Sequence, residues 1–234
     1  MAEERGYREG ARTVLPLAAA VGAFGVSFGV LARAGGFGGP AAVAMSLSTF
    51  AGSAQFAAVS VLAGGGSTAA AITAALLLNV RYLPIGITVA PWLEGGAWSR
   101  LLHAHLMVDE SWAVAAEGEG RWNQRVLFAA GLGILVAWVS GTVIGVVFGN
   151  LLGDPDRLGI DAAFPALFLT LLVPQIRGAD LRHLGRARSR PMLAALLGGG
   201  IALALTPFTP AGVPIIAAAA ACSIGLLPAT QEHT

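Results

Sequence analysis

The sequence predicts an all-α protein: a polytopic transmembrane helical bundle of about seven to eight spans, with broken helices and the texture of an internal repeat. Three observations predict it. Of 234 residues, 56% are hydrophobic and only 12% charged, whereas a soluble domain carries about a quarter charged residues to cover its surface. Apolar runs long enough to cross a bilayer as helix, about 17 to 25 residues, recur along the chain. These runs are continuous, which excludes a barrel, whose strands alternate over about ten residues. We expect one integral membrane domain over residues 1–234, with a cytoplasmic segment 1–12, a first half 13–116 and a second half 126–228.

The first span, 13–33, follows the mixed-charge stretch MAEERGYREGAR, and its apolar run extends past Ala32. That is too long for a signal-peptide core, so it is expected to stay as a helix. Further spans fall at 40–63, 68–92, 126–149, 161–177, 191–207 and 213–228, parted by the breaks ARAGGFGGP, AGGGS, LGDPDRLG and TPFTPAGVP. The segment 98–118 is apolar on balance but carries His103, His105, Asp109 and Glu110. Arginine placement bears on it, because short cytoplasmic loops are rich in Arg. Arg5, Arg8 and Arg12 precede the first span, and Arg177, Arg182, Arg186, Arg188 and Arg190 crowd one loop. If 98–118 crosses, both regions fall inside together with Arg121 and Arg125, while Asp154 and Asp156 fall outside. The expectation is therefore eight spans with both termini cytoplasmic. The alternative is a re-entrant or interfacial helix at 98–118, leaving seven.

Two spans share a texture: Gly22, Gly25 and Gly29 in one, and Gly141, Gly145 and Gly149 at strict four-residue spacing in the other. Small residues at that interval let helix backbones approach closely in lipid. The likeness hints at a duplicated half, as many transporters show.

Several function classes drop out early. A net charge of +1 excludes a nucleic-acid surface, and the single cysteine, Cys222, excludes an internal disulfide. All fourteen basic residues are arginine, so no phosphate-binding loop with its lysine is present and ATP coupling has no support. No metal site and no cofactor are expected.

Three polar groups stand inside apolar runs. The stretch STFAGSAQF at 48–56 falls in the middle of the second span. On a continuous helix Ser46, Thr49, Ser53 and Ser60 form one stripe, and Ser48, Gly52 and Gln55 a second. Helix packing accounts for the hydroxyls. It accounts poorly for Gln55, because a buried primary amide needs several partners or costs a few kcal/mol. We therefore expect Ser53 and Gln55 to line a cavity together with a break at 79–86. There LLLNVRYLPIG places Arg81 deep in an apolar run, where a charge costs at least about 2.5 kcal/mol unless it faces protein or water. Pro84 removes a backbone donor and Gly86 loosens the next turn, so the helix is expected to break beside the arginine. The third group is Asp109-Glu110: either these acids pair with Arg81, or at least one holds a proton.

These motifs resemble the AzlC-type branched-chain amino acid permeases. The likeness runs from about Gly10 to Trp112, through EGARTVLPLAAAVGAFGVSFGVLARAGG, MSLSTFAGSAQFAAVSVLAGG, LLLNVRYLPIGITVAP and MVDESWA. The family pattern is matched at Ala51-Gly52, Gln55-Phe56, Asn79, Arg81, Asp109-Glu110 and Trp112. Tyr82 stands where relatives often have His, and LPIG replaces a more usual Leu-Tyr-Gly, which leaves the substrate's identity open. The resemblance implies export of hydrophobic amino acids such as valine, leucine or isoleucine across the bacterial cytoplasmic (inner) membrane, beside a small AzlD-like membrane protein. A homo-oligomer stays open. On this reading Ser48, Thr49, Gly52, Ser53, Gln55, Phe56, Asn79 and Arg81 form the substrate site, and Asp109 and Glu110 couple transport to protons. Two rival readings are an intramembrane serine protease using Ser53 with His105 or His103, and a non-transporting structural subunit.

Overall fold

The computed structural model describes residues 6–118, 120–149, 190–209 and 213–221. The expected span 161–177, the Arg-rich loop 177–190 up to residue 189, the acidic loop of Asp154 and Asp156, and Cys222 lie outside the described residues, as does most of any duplicated half. The described residues up to Phe56 and from Leu78 onward through Gly149 form one compact unit. Ala57–Leu77 and the described residues beyond 189 form a second.

Two long helices frame the first unit: α1 (Tyr7–Ala34, 28 residues) and α8 (Gln124–Phe148, 25 residues). At 1.5 Å per residue each is roughly 40 Å long, enough to cross a bilayer's hydrocarbon core. They run parallel. Tyr7 meets the edge of Phe128 with ring centroids 6.2 Å apart, and Gly29 lies against Thr142 and Val146 near the other end. The two glycine stripes pack against each other. A Cβ on Gly141 would strike the Gly22 carbonyl, one on Gly145 the Val26 carbonyl, and one on Gly29 the Thr142 carbonyl. The glycine spacing therefore sets this contact, which is what the four-residue interval of small residues predicts.

The second expected span is not one helix. It divides into α2 (Gly39–Ser48) and α3 (Gly52–Ala63), and Phe50 between them takes a left-handed backbone with φ of 43°. Gln55 is nine residues on from Ser46 yet hydrogen-bonds to it at 3.1 Å; in an unbroken helix the two would stand about 13 Å apart along the axis. The chain thus turns back at Phe50, and the two continuous stripes expected of Ser46–Ser60 and Ser48–Gln55 do not exist.

The third span is likewise divided, into α4 (Thr68–Asn79) and α5 (Tyr82–Val89), followed by a 3₁₀ turn Ala90–Trp92. Pro84 explains where. Its ring would clash with the carbonyl four residues back, that of Val80, and it lacks an N–H to donate there. The ladder is therefore interrupted at Val80–Arg81, and Pro84 sits harmlessly in the first turn of α5.

Segment 98–118 forms α6 (Ala97–His105), an interruption at 106–108, α7 (Asp109–Ala115) and then a small two-stranded ribbon, β1 (Ala116–Gly118) with β2 (Arg121–Trp122). The ribbon has no counterpart in the all-α expectation. His103 of α6 touches Gln124 at the start of α8, and the Ala115 carbonyl at the far end of α7 accepts from Asn123 N. Between them Leu106 lies against Gly131, where a Cβ would meet its carbonyl. The segment descends along α8 for about two turns and returns to where it began. This corrects the expectation of a crossing: at nine and seven residues, neither helix spans a bilayer.

Three stretches among the described residues are long and apolar enough to cross: Tyr7–Ala34, Thr68–Trp92 and Gln124–Phe148. In the second unit α9 (Arg190–Leu205) and α10 (Val213–Ala219) pack together, with Gly198 against the Ala218 carbonyl.

Two outcomes are expected. Single cysteines placed at Ser99 and at Glu117, in a Cys222→Ala background, should both react with a membrane-impermeant thiol reagent from the side that labels Tyr7→Cys. Labelling of 99 and 117 from opposite sides would contradict the returning segment. Gly145→Leu should lower stability by about 1–3 kcal/mol through overpacking against α1, read from the thermal midpoint in detergent.

Candidate substrate site

At the α4–α5 interruption the Arg81 guanidinium is half-buried, and three groups hold it. Nη1 pairs with Asp109 Oδ2 at 3.1 Å, the two side chains being 33% and 31% exposed. Nη2 donates to Ser53 Oγ at 3.0 Å and to Tyr82 Oη at 3.4 Å. The Tyr82 ring also lies beneath the cation, 5.2 Å from Cζ to its centroid. Three interruptions supply these partners: Ser53 follows the α2–α3 turn, Arg81 lies in the α4–α5 interruption, and Asp109 opens α7. Two buried polar atoms of this cluster, Arg81 Nε and Asn79 Oδ1, have no partner among the described residues. One is a donor and the other an acceptor.

Local chemistry explains why Asp109 is where it is. The Ser111 hydroxyl accepts from Val108 N at 2.9 Å and donates back to the Leu106 or Val108 carbonyl, at 2.9 and 3.0 Å. This ties off the interruption, starts α7 at Asp109, and sets both acids in the helix's first turn, where the backbone dipole favours negative charge. Glu110 follows, half-buried.

The α2–α3 turn is held by a different network. Gln55, with no exposed surface, donates from Nε2 to Ser46 Oγ at 3.1 Å. Its Oε1 accepts from Trp138 Nε1 at 3.1 Å and from Ala51 N at 3.3 Å. Thr142 gives its one proton to the Trp138 carbonyl at 2.9 Å, so Ser46 must donate in the 2.9 Å contact to Thr142. The protons therefore run one way round a closed loop, from Gln55 to Ser46, Thr142 and Trp138, and back to Gln55. Trp138 sits over Gly52, where a Cβ would lie 3.0 Å from its ring. It stacks on Phe28 with centroids 5.8 Å apart and meets Phe56 edge-on at 6.2 Å.

The structure thus brings together Ser53, Arg81, Tyr82 and Asp109, with Glu110 next to Asp109 and Asn79 two residues before the arginine. It sets Gly52, Gln55 and Phe56 instead around Trp138, where the Gln55 amide is consumed by protein partners. The expectation that Gln55 lines a cavity is corrected accordingly. Ser48 bonds back to the Ala44 carbonyl at 2.8 Å and is exposed, as is Thr49 at the end of α2. His105 lies against Phe50, ring centroids 6.0 Å apart. His103 donates from Nδ1 to the Ser99 carbonyl at 2.7 Å and accepts from Gln124 at 3.0 Å. Neither histidine hydrogen-bonds Ser53 among the described residues, where the serine's partner is Arg81. Sequence reasoning missed Trp138, Thr142 and Ser111. The available signal was an indole N–H inside an apolar span, which needs an acceptor when buried.

Long apolar helices together with a paired arginine and carboxylate at helix interruptions define a membrane protein with a polar site. The family model described as AzlC protein matches residues 16–152, which reaches beyond the motifs above to take in all of α8. The chain belongs to the AzlC family. An uncharacterized membrane protein of Archaeoglobus fulgidus is 34% identical over 219 residues, 92% of this chain and 91% of its own. The branched-chain amino acid transport protein AzlC of Bacillus subtilis is 27% identical over 175 residues, covering 72% of this chain and 67% of that one. An uncharacterized membrane protein of Helicobacter pylori is 26% identical over 156 residues, 65% and 68% of the two chains. No solved structure matches.

Gln55→Leu should cost about 1–3 kcal/mol, because Trp138 Nε1, Ser46 and Ala51 N lose their partner in a buried place. Trp138→Phe removes the indole donor, leaves Ala51 N on Gln55 Oε1, and loosens the contact over Gly52. A Gln55→Leu protein with the parent's thermal midpoint in detergent would show that the loop does not hold the turn.

Proposed function

We propose that this protein is a secondary transporter that exports branched-chain amino acids across the bacterial cytoplasmic membrane, coupled to protons and working beside a small AzlD-like membrane subunit. The observation that carries the reading is the Arg81–Asp109 pair at 3.1 Å, set at a helix interruption with Ser53 on the same guanidinium. A cation held by one carboxylate can exchange it for another. The substrate's carboxylate would take the guanidinium edge that includes Nε, in the paired geometry that arginine offers. The substrate's ammonium would then meet Asn79 Oδ1, the acceptor without a partner, and the freed Asp109.

Coupling follows from the same exchange. With Arg81 engaged by substrate, Asp109 loses its countercharge in a poorly solvated place, and it or Glu110 takes up a proton. Substrate binding and protonation are thereby linked, as a proton-driven exporter requires. The relative from Bacillus subtilis, named as a branched-chain amino acid transport protein, supports the substrate class. The histidine placements described above favour this reading over a protease.

Flux of leucine in proteoliposomes, with and without a pH gradient and with and without the small partner, tests it. Arg81→Gln should reduce flux at least about tenfold, the scale of a lost charge-assisted hydrogen bond. The neutral double variants Arg81→Gln with Asp109→Asn, and Arg81→Gln with Glu110→Gln, should fold but lose gradient-driven flux. Retention of pH-dependent transport in both doubles would leave a static pair and end the coupling mechanism. Flux that is unchanged when this protein is left out and the small partner alone is present would leave a structural subunit.

A further inference from the structure

Where α8 begins, the first unit contains an open cavity of about 960 Å³ that shares no residue with the Arg81 cluster. Its walls are pinned from several directions. Gln124, in the first turn of α8, accepts from Glu94 N at 2.8 Å, donates to the Glu94 carbonyl at 3.3 Å, and reaches His103 of α6 at 3.0 Å. The loop before α6, α6 itself and α8 are thereby fixed to one another, so the cavity is formed in advance.

The lining has an unusual composition. Trp92, Trp98 and Trp122 present indoles, Glu94 and Glu117 present carboxylates, and Arg125 presents a single cation. Trp122 Nε1 is buried and has no partner among the described residues. Glu117 gives one oxygen to Asn123 Nδ2 at 2.8 Å and retains acceptor capacity. Trp98 stands at the rim, 84% exposed, and the exposed Leu101 and Leu102 continue an apolar strip from it along α6.

We propose that this cavity binds the headgroup of a zwitterionic, ammonium-bearing phospholipid. Indole faces with two acids suit an ammonium group, while the exposed Arg125 suits a phosphate. The acyl chains would lie along Leu101 and Leu102, and the indoles would sit at headgroup level, where tryptophan is enriched. Two acids against one arginine disfavour an anionic headgroup. A free amino acid carries the same pair of charges, but it makes no use of the apolar strip beside the rim.

Titration of the purified full-length protein in detergent, followed by tryptophan fluorescence, discriminates these cases. The probes are dihexanoyl-phosphatidylethanolamine, dihexanoyl-phosphatidylglycerol and free leucine. Phosphatidylethanolamine should bind saturably and about fivefold more tightly than phosphatidylglycerol, the scale of one cation–π contact. The preference should vanish in Glu94→Gln with Glu117→Gln, and Trp98→Ala, at an exposed position, should weaken binding of both lipids. Equal affinity for the two lipids, a preference that survives the Glu94/Glu117 double variant, or leucine competing as well as the lipid would each overturn the proposal. Because the readout is lipid binding, the result stands apart from any failure of amino acid flux.

Discussion

The amide of Gln55 joins three pieces of chain: the end of α2, the start of α3, and the middle of α8. A chain that turns back inside an apolar bundle leaves backbone groups without helical partners, and in lipid each such group costs several kcal/mol. Gln55 meets this cost locally by accepting from Ala51 N while its own N–H bonds to the Ala51 carbonyl at 2.9 Å. It also anchors the turn to α8 through Trp138 and to Thr142 through Ser46. A Leu or Met in its place could fill the volume but could close none of these bonds. The left-handed Phe50, buried at 5% exposure, is the strained residue that this anchoring holds in place.

One of the supports at Arg81 follows from that constraint. Ser53 stands two residues before Gln55 in the same first turn of α3, so fixing the amide on Trp138 fixes the hydroxyl opposite the guanidinium. The second support is independent. Ser111 ties off the interruption before α7 and so sets Asp109 against the other edge of the same cation. The arginine itself is freed from a helical run by Pro84, whose effect falls on Val80. Three local devices, an amide, a hydroxyl and a proline, therefore converge on one charge. They do so against α1 and α8, which the glycine contacts hold too close together to slide easily.

Much of this was legible in the residues. Pro84 and Gly86 announced an interruption beside Arg81, and the four-residue glycine spacing announced a close helix contact. The turn at Phe50 was not legible, because neither glycine nor proline marks its tip. The device that makes it is partly long-range, a glutamine with one partner, Trp138, 83 residues away on α8, and periodicity within one segment cannot report it. The same applies to 98–118, where arginine parity favoured a crossing. Counting charges by side cannot distinguish a crossing from a return when other segments also turn back. A local sign did exist there, since two acids followed by Ser111 suit the start of a new helix. The stripe assignments failed for one reason: a 100° rotation per residue is meaningful only while the helix is unbroken.

The division between the two polar networks carries a mechanical consequence. The Gln55 loop is sealed and one-directional in its protons, so breaking it strands a buried donor or acceptor. The Arg81 site is the reverse: its ion pair is about one-third exposed on each side, and Arg81 Nε and the nearby Asn79 Oδ1 have no partner among the described residues. Rearrangement is therefore cheap at Arg81 and expensive at Gln55, although Ser53 and Gln55 are separated by a single residue. A site that must exchange one carboxylate for another needs that asymmetry, with a fixed wall on one side and a cation able to change partners on the other. The polar residues of STFAGSAQF accordingly divide between two duties, Gln55 holding the turn and Ser53 facing the cation.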